Sequence, residues 1–282
     1  MRRGRGHAKY RLEPTAALVM VWARGLYRKG LAKRYLTTLD LSAAEKIGDQ
    51  CHKVCAWYGE IILDRKYLIR HLVCERLGSA RQPRRVIDLG SGKSPLSLEL
   101  LESHAAAIDR VVEVDTRGIA VKKKIFRKIA PTLSKKIDFV SGDVTSERAK
   151  RAYDAGKNIP SIIAVEGLSY YMPVSKLKMI IRLFRSKNHE NLLIMEYLVP
   201  FASVSKKRRL IPRAVLNTAR WIGGLRALTH YTGAQAKRLV SVQGGKAGKR
   251  FTLKDMERLR TSKNRYFRRD NEGWIEILTA RI

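Results

Sequence analysis

Acidic residues are what this 282-residue sequence has too few of: 25 Asp and Glu stand against 58 Lys and Arg, for a net charge of +33. A field of that size attracts anionic partners, whether nucleic acid, acidic lipid or an acidic substrate. Cysteine is scarcer still. Cys51, Cys55 and Cys74 make no disulfide framework, and an odd count in a chain this long fits a reducing compartment, so a cytoplasmic location is expected. Cys51 and Cys55 have only His52 between them as a further ligand type, too little for a metal site, so no metal is expected and two buried helix cysteines are the better reading. No run reaches the roughly 18 apolar residues that would cross a bilayer. The basic start and the apolar segment Thr15–Ala23 fit a secretion signal poorly, because Glu13-Pro14 interrupts them and no small-x-small cleavage pattern follows. There is no internal repeat and no low-complexity tract. The hydrophobic share of 45% is nevertheless ordinary, so a buried core is expected and wholesale disorder is excluded.

The positive charge is concentrated at two places. Between residues 2 and 34 ten Lys or Arg face Glu13 alone, and between 206 and 269 nineteen face only Asp255 and Glu257. The stretch between holds most of the acids. Residues 42 to about 78 show apolar residues at helical spacing, among them Ile47, Cys51, Val54 and Tyr58, then Leu63, Tyr67, Leu68 and Leu72. After Gly78 and Pro83 the pattern changes to short apolar strands at 86–89, 110–115, 137–140, 161–165 and 191–197, separated by helix-length stretches such as 176–184. That alternation implies an α/β fold, a parallel sheet with helices on both faces. A helix at 252–259 and two strands at 266–268 and 274–280 are expected to close the chain. The Gly- and Lys/Arg-rich segment 198–250 is then an insertion near the carboxyl ends of the strands, where ligands bind in open α/β sheets.

Four loops after strands carry chemistry. In Asp88-Leu89-Gly90-Ser91-Gly92, Gly90 and Gly92 let the backbone turn sharply and approach a ligand. In Glu113-Val114-Asp115, Asp115 lies where a ribose-hydroxyl acceptor recurs in nucleotide-binding sheets. The third glycine of a dinucleotide loop is missing from Gly90-Ser91-Gly92-Lys93-Ser94-Pro95, so a ligand without a pyrophosphate fits better. Asp143 follows the third strand, where an acid can accept from an adenine amino group. Glu166, between an apolar strand and Gly167, is costly if buried and unpaired, so it should face a cation or a cleft.

Together with Glu166-Gly167-Leu168-Ser169-Tyr170-Tyr171-Met172-Pro173, these loops resemble the leucine carboxyl methyltransferase family of class I S-adenosylmethionine-dependent methyltransferases. The likeness covers roughly residues 60–200. It implies a Rossmann-like sheet and S-adenosylmethionine as cofactor. By the same likeness Arg65 would hold the cofactor carboxylate, Glu166 its amino group, Asp115 the ribose and Asp143 the adenine, with Asp88, Gly90 and Gly92 shaping the loop. The chain departs from the family pattern at Lys93-Ser94-Pro95. On this reading residues 1–80 are a basic arm and helical cap, and 81–282 the methyltransferase core with 198–250 as lid.

Methyl transfer is an in-line displacement, and a carboxylate nucleophile needs cations rather than a base. An O-methyltransferase acting on the carboxylate of an acidic small molecule or peptide is therefore expected, with Tyr170, Tyr171, Lys206 and Arg209 as candidate substrate contacts and no catalytic acid or base. The rival expectations are an RNA methyltransferase, with nucleic acid as partner, and a non-catalytic basic RNA-binding protein.

Overall fold

The computed structural model describes residues 9–156, 158–187, 190–223 and 228–282, with side chains omitted from 218 to 223. The first eight residues of the basic arm and 224–227 of the insertion lie outside the described residues. Two short strands, β1 (Tyr10–Arg11) and β2 (Leu39–Asp40), pair in parallel around α1 (Pro14–Ala23) and α2 (Gly30–Thr37). Helices α3 (Glu45–Val54) and α4 (Tyr58–Gly78) follow, and then the main sheet begins. Its first part alternates as expected: β3 (Arg84–Leu89), α5 (Leu96–His104), β4 (Ile108–Asp115), α6 (Ile119–Ile129), β5 (Ile137–Ser141), α7 (Glu147–Asp154), β6 (Ser161–Val165), α8 (Val174–Leu183) and β7 (Leu192–Leu198). The chain ends with α9 (Leu210–Gly223), α10 (Gly233–Ser241), β8 (Lys246–Thr252), α11 (Leu253–Thr261) and β9 (Ile275–Arg281).

The seven main strands lie in the order β5-β4-β3-β6-β7-β9-β8. The first five are parallel, and β9 runs antiparallel to both of its neighbours. Strand β3 is buried along its whole length, which is why Val86, Ile87 and Leu89 form an unbroken apolar run rather than an alternating one. The order reverses between β3 and β6, so the loops after these strands diverge and leave a crevice. Register brings the strand ends level: Leu89 is opposite Val114 on one side and Val165 on the other, and Val165 is opposite Met195. Residues 90–92, 115, 166 and 196 consequently share one edge of the sheet.

The helical N-terminal region packs into the same core as the sheet. Tyr35 of α2 is fully buried edge-on against Phe126 of α6, with ring centroids 5.0 Å apart, and Trp22 of α1 meets Tyr58 of α4 at 5.3 Å. Pro14 opens α1 at a position where its missing N–H costs nothing. Cys51 and Cys55 are buried. Among the described residues, no helix is long and apolar enough to cross a membrane.

Two expectations near the C-terminus are corrected. Residues 266–268 form no strand. The carboxylate of Glu257, itself buried, accepts the backbone N–H groups of Arg265, Tyr266 and Phe267 at 2.9 Å each, and so takes donors that a sheet ladder would have used. The outer partner of β9 is instead β8, which begins inside the segment read as an insertion and ends two residues beyond it. Its sequence, Lys246-Ala-Gly-Lys-Arg-Phe-Thr252, shows little strand pattern because it is an edge strand, whose charges face water.

Candidate functional site

A cleft of about 340 Å³ opens at the carboxyl ends of β3, β4 and β6. Gly90 and Gly92 adopt positive φ, +72° and +50°, and a Cβ at Gly90 would come within 3.2 Å of the Leu168 side chain. The backbone of this loop therefore follows a path that other residues would strain. Gly90 and Ser91 donate to Val114 O at 2.9 and 3.2 Å, fastening the loop to the end of β4. Asp115 fixes it further. One carboxylate oxygen accepts from Gly92 N and the other from Arg117 N, both at 2.8 Å. Each of those oxygens keeps a second lone pair for a ligand hydroxyl.

Three consecutive charges lie in the buried middle of α4, and two of them, Arg65 and Lys66, line the cleft. Asp64 accepts from Arg260 Nε of α11 at 2.5 Å, Arg65 reaches Glu196 of β7 at 2.6 Å, and Lys66 reaches Glu166 at 2.6 Å. Arg65 also lies 3.7 Å from Glu166. Burial would raise the Glu166 carboxyl, but Lys66 and Arg65 outweigh it and hold the group below the usual range. Glu196 has the opposite fate: burial dominates, with Glu166 adding to it, and its carboxyl is pushed up although it is bonded to Arg65 and to Gly167 N at 2.9 Å. Asp88 is buried in the cleft wall and pushed up to about 7, first by burial, while Lys122 pulls it down. Among the described residues it has neither an ion pair nor a hydrogen bond to its carboxylate. Ser91 Oγ, also buried there, has no hydrogen-bond partner.

Beneath the loop lies a sealed pair. Lys122 of α6 and Glu113 of β4 are both completely buried and 2.8 Å apart, and Ser97 of α5 donates its hydroxyl to the same glutamate.

The structure thus gathers Arg65, Asp88, Gly90, Gly92, Asp115, Glu166, Tyr170 and Tyr171 around one cleft. It does not bring Asp143 into that lining. This residue forms an ion pair with Lys176 and caps Thr145, and those bonds hold its carboxyl low despite the opposing effect of partial burial. Lys206 is exposed and Arg209 half-buried just before α9, and neither lines the cleft or the apolar cavity beside it.

Sequence reasoning missed Lys66, Glu196 and the roof formed by Thr15, Ala16, Val19 and Met20 of α1. Glu196 carried the same signal as Glu166, an acid inside an apolar strand. The α1 roof left a fainter one: its residues are apolar on every side, more than one buried face requires.

Comparison with known proteins supports the architecture. A candidate methyltransferase from Thermobifida fusca superposes with a TM-score of 0.67 at 16% identity, covering 95% of both chains. A DUF574 family protein from Streptomyces avermitilis gives 0.63 at 15% identity, over 95% of this chain and 97% of that one. No family model matches the sequence, and no curated protein does. The chain has a methyltransferase-type α/β fold.

Proposed function

We propose that the protein is an S-adenosylmethionine-dependent methyltransferase whose cofactor site is the cleft under α1. The observation that carries this reading is the set of acids converging on it. Asp115 is held with lone pairs to spare, Glu166 is kept ionised by Lys66, and Asp88 is buried with no partner of its own. A buried carboxylate without a partner is costly, and a ligand bearing an ammonium group and a sulfonium removes that cost. The residues fit the cofactor: Asp115 would take the ribose hydroxyls, Asp88 and Glu166 the amino group, Ser91 a further polar group, and Gly90 and Gly92 the close backbone approach. When bound, S-adenosylmethionine supplies an activated methyl group.

The side chains around it would then position the acceptor rather than deprotonate it. Burial, the first cause, pushes the Tyr170 hydroxyl up, so it is a neutral donor at physiological pH. Glu196 is engaged by Arg65. An acceptor oxygen that ionises readily suits such a site, and alignment of acceptor and methyl supplies much of the rate. A carboxylate or an acidic hydroxyl meets this requirement. The narrower likeness to leucine carboxyl methyltransferases is most specific at Glu166-Gly167, Tyr171 and Pro173.

Thermal unfolding in the presence of S-adenosylmethionine, S-adenosylhomocysteine and NAD tests the assignment. A ligand at a hundred times its Kd stabilises by about 2.7 kcal/mol. The two adenosyl-sulfur ligands are expected to raise Tm by several degrees and NAD to leave it unchanged; a rise with NAD alone, or with none, would refute the reading.

A further inference from the structure

A second cavity of about 270 Å³ adjoins the cleft, and both are lined by Thr15, Val19, Arg65, Tyr170 and Tyr171. Its remaining walls are almost wholly apolar, including Trp22, Ile47, Ile62, Leu216 and Trp274. We infer that this chamber holds the methyl acceptor, and that the acceptor is a compact aromatic small molecule with an oxygen at the end facing Arg65, not an acidic peptide. The inference rests on the cofactor assignment for the adjoining cleft and adds to it the class of substrate.

Three observations carry it. The chamber is smaller than the roughly 300–1,000 Å³ of most drug-sized sites, too small for several peptide residues. Among the described residues its single cation is Arg65, which Glu196 at 2.6 Å and Glu166 at 3.7 Å already neutralise. An entering polyanion would meet two buried carboxylates and no uncommitted positive charge, while the basic residues of 206–209 lie elsewhere. Finally, a buried donor of the lining has no acceptor: Arg65 Nε, in a residue 6% exposed. An orphaned buried donor costs about 1–3 kcal/mol, which one acceptor oxygen on an otherwise apolar ligand would offset. The aromatic rings of Trp22 and Trp274 suit a flat partner.

The location of the shared residues gives the acceptor its direction. Tyr170 and Tyr171 pack edge to face, with centroids 4.5 Å apart, at the junction of the two cavities. Tyr170 OH lies 3.4 Å from both Arg65 and Glu196. An oxygen placed at this junction meets the cleft on one side while its ring stays among the apolar walls. Proton loss would be to water, leaving an oxyanion to attack the methyl carbon as the carbon–sulfur bond breaks; S-adenosylhomocysteine and the methyl ether are the products.

The test is calorimetric titration of the full chain, saturated with S-adenosylhomocysteine, with 2-naphthol and separately with tetraglutamate. Naphthol is expected to bind and tetraglutamate to give no heat. Leu216→Trp, which fills the α9 wall of the chamber without touching the cofactor cleft, should weaken naphthol about tenfold and leave S-adenosylhomocysteine within about twofold. Retained S-adenosylhomocysteine binding shows that the variant has folded; if it has not, Leu216→Ala replaces it, with a loss of about threefold expected. Naphthol heat that neither variant changes, or tetraglutamate binding in place of naphthol, overturns the substrate assignment alone. Absence of S-adenosylhomocysteine binding in the unaltered protein overturns the methyltransferase reading, whatever naphthol does.

Discussion

Two buried lysine–glutamate pairs lie within the same sheet edge and differ in one respect. Lys122 and Glu113 are both completely inaccessible, whereas Lys66 and Glu166 keep side-chain exposures of 4% and 12% and border the cleft. The first pair has no opening to a ligand. It closes the underside of the loop, tying α6 to β4, and Ser97 donates to the same carboxylate. The second holds an ionised carboxylate at the wall of a cavity. A closed pair acts as a strut, and an open one keeps a charge available; similar chemistry at similar burial therefore says little until its access to a cavity is known.

The largest expected effect follows from breaking the closed pair. Lys122→Met leaves Glu113 buried without a counter-charge and should cost about 3–5 kcal/mol, read from denaturant midpoints. Adding Glu113→Leu should recover most of that loss, because two apolar residues leave nothing unpaired. Lys66→Met is the matched change at the open pair. Arg65 remains near Glu166 there and the cleft admits water, so the cost should be about 1–2 kcal/mol. Equal costs at the two sites would erase the distinction.

Ligand binding should show the reverse ranking. Glu166→Gln is expected to weaken S-adenosylhomocysteine about tenfold, at a stability cost of about 1–2 kcal/mol like that of Lys66→Met, since it leaves Lys66 without its counter-charge. The acid 25 residues earlier than Glu113, Asp88, gives an effect that depends on pH. Its carboxyl is raised to about 7 by burial, so the folded state binds more protons than the unfolded state between about pH 4 and 7. Stability of the ligand-free protein should therefore fall as pH rises through that window. Asp88→Asn should reduce the slope without abolishing it, because burial raises Asp64 to about 7 as well. A cationic ligand favours ionised Asp88, so affinity should drop by up to about tenfold per pH unit below 7, and the drop should vanish in Asp88→Asn. The smallest effect belongs to Lys206→Ala and Arg209→Ala, whose S-adenosylhomocysteine affinity should stay within about twofold of the unaltered protein.

Much of this site could be read from local pattern. Val86–Leu89 followed by two glycines, an acid ending the next strand and an acid before Gly167 are short-range signals, and the parallel register then aligns them without further information. What escaped depended on distant contacts. The roof helix α1 is separated from Asp115 by about a third of the chain, and nothing in Thr15–Ala23 names its ligand-side face. Lys206 and Arg209 stand in a dense basic run, but such density marks solvated surface as readily as a pocket. Residues 266–268 form no strand because the buried Glu257 takes the amides of Tyr266 and Phe267 and Glu272 takes that of Arg268. Tyr35 and Phe126 lie on opposite sides of residue 80 and in one core.

Asp115 tests the central claim most directly, because the cofactor assignment and the loop geometry meet at its carboxylate. Calorimetric titration with S-adenosylhomocysteine, of the unaltered protein and of Asp115→Ala, should show micromolar binding in the first and a loss of about a hundredfold in the second. Equal affinities in two folded proteins would contradict a cofactor site at this cleft.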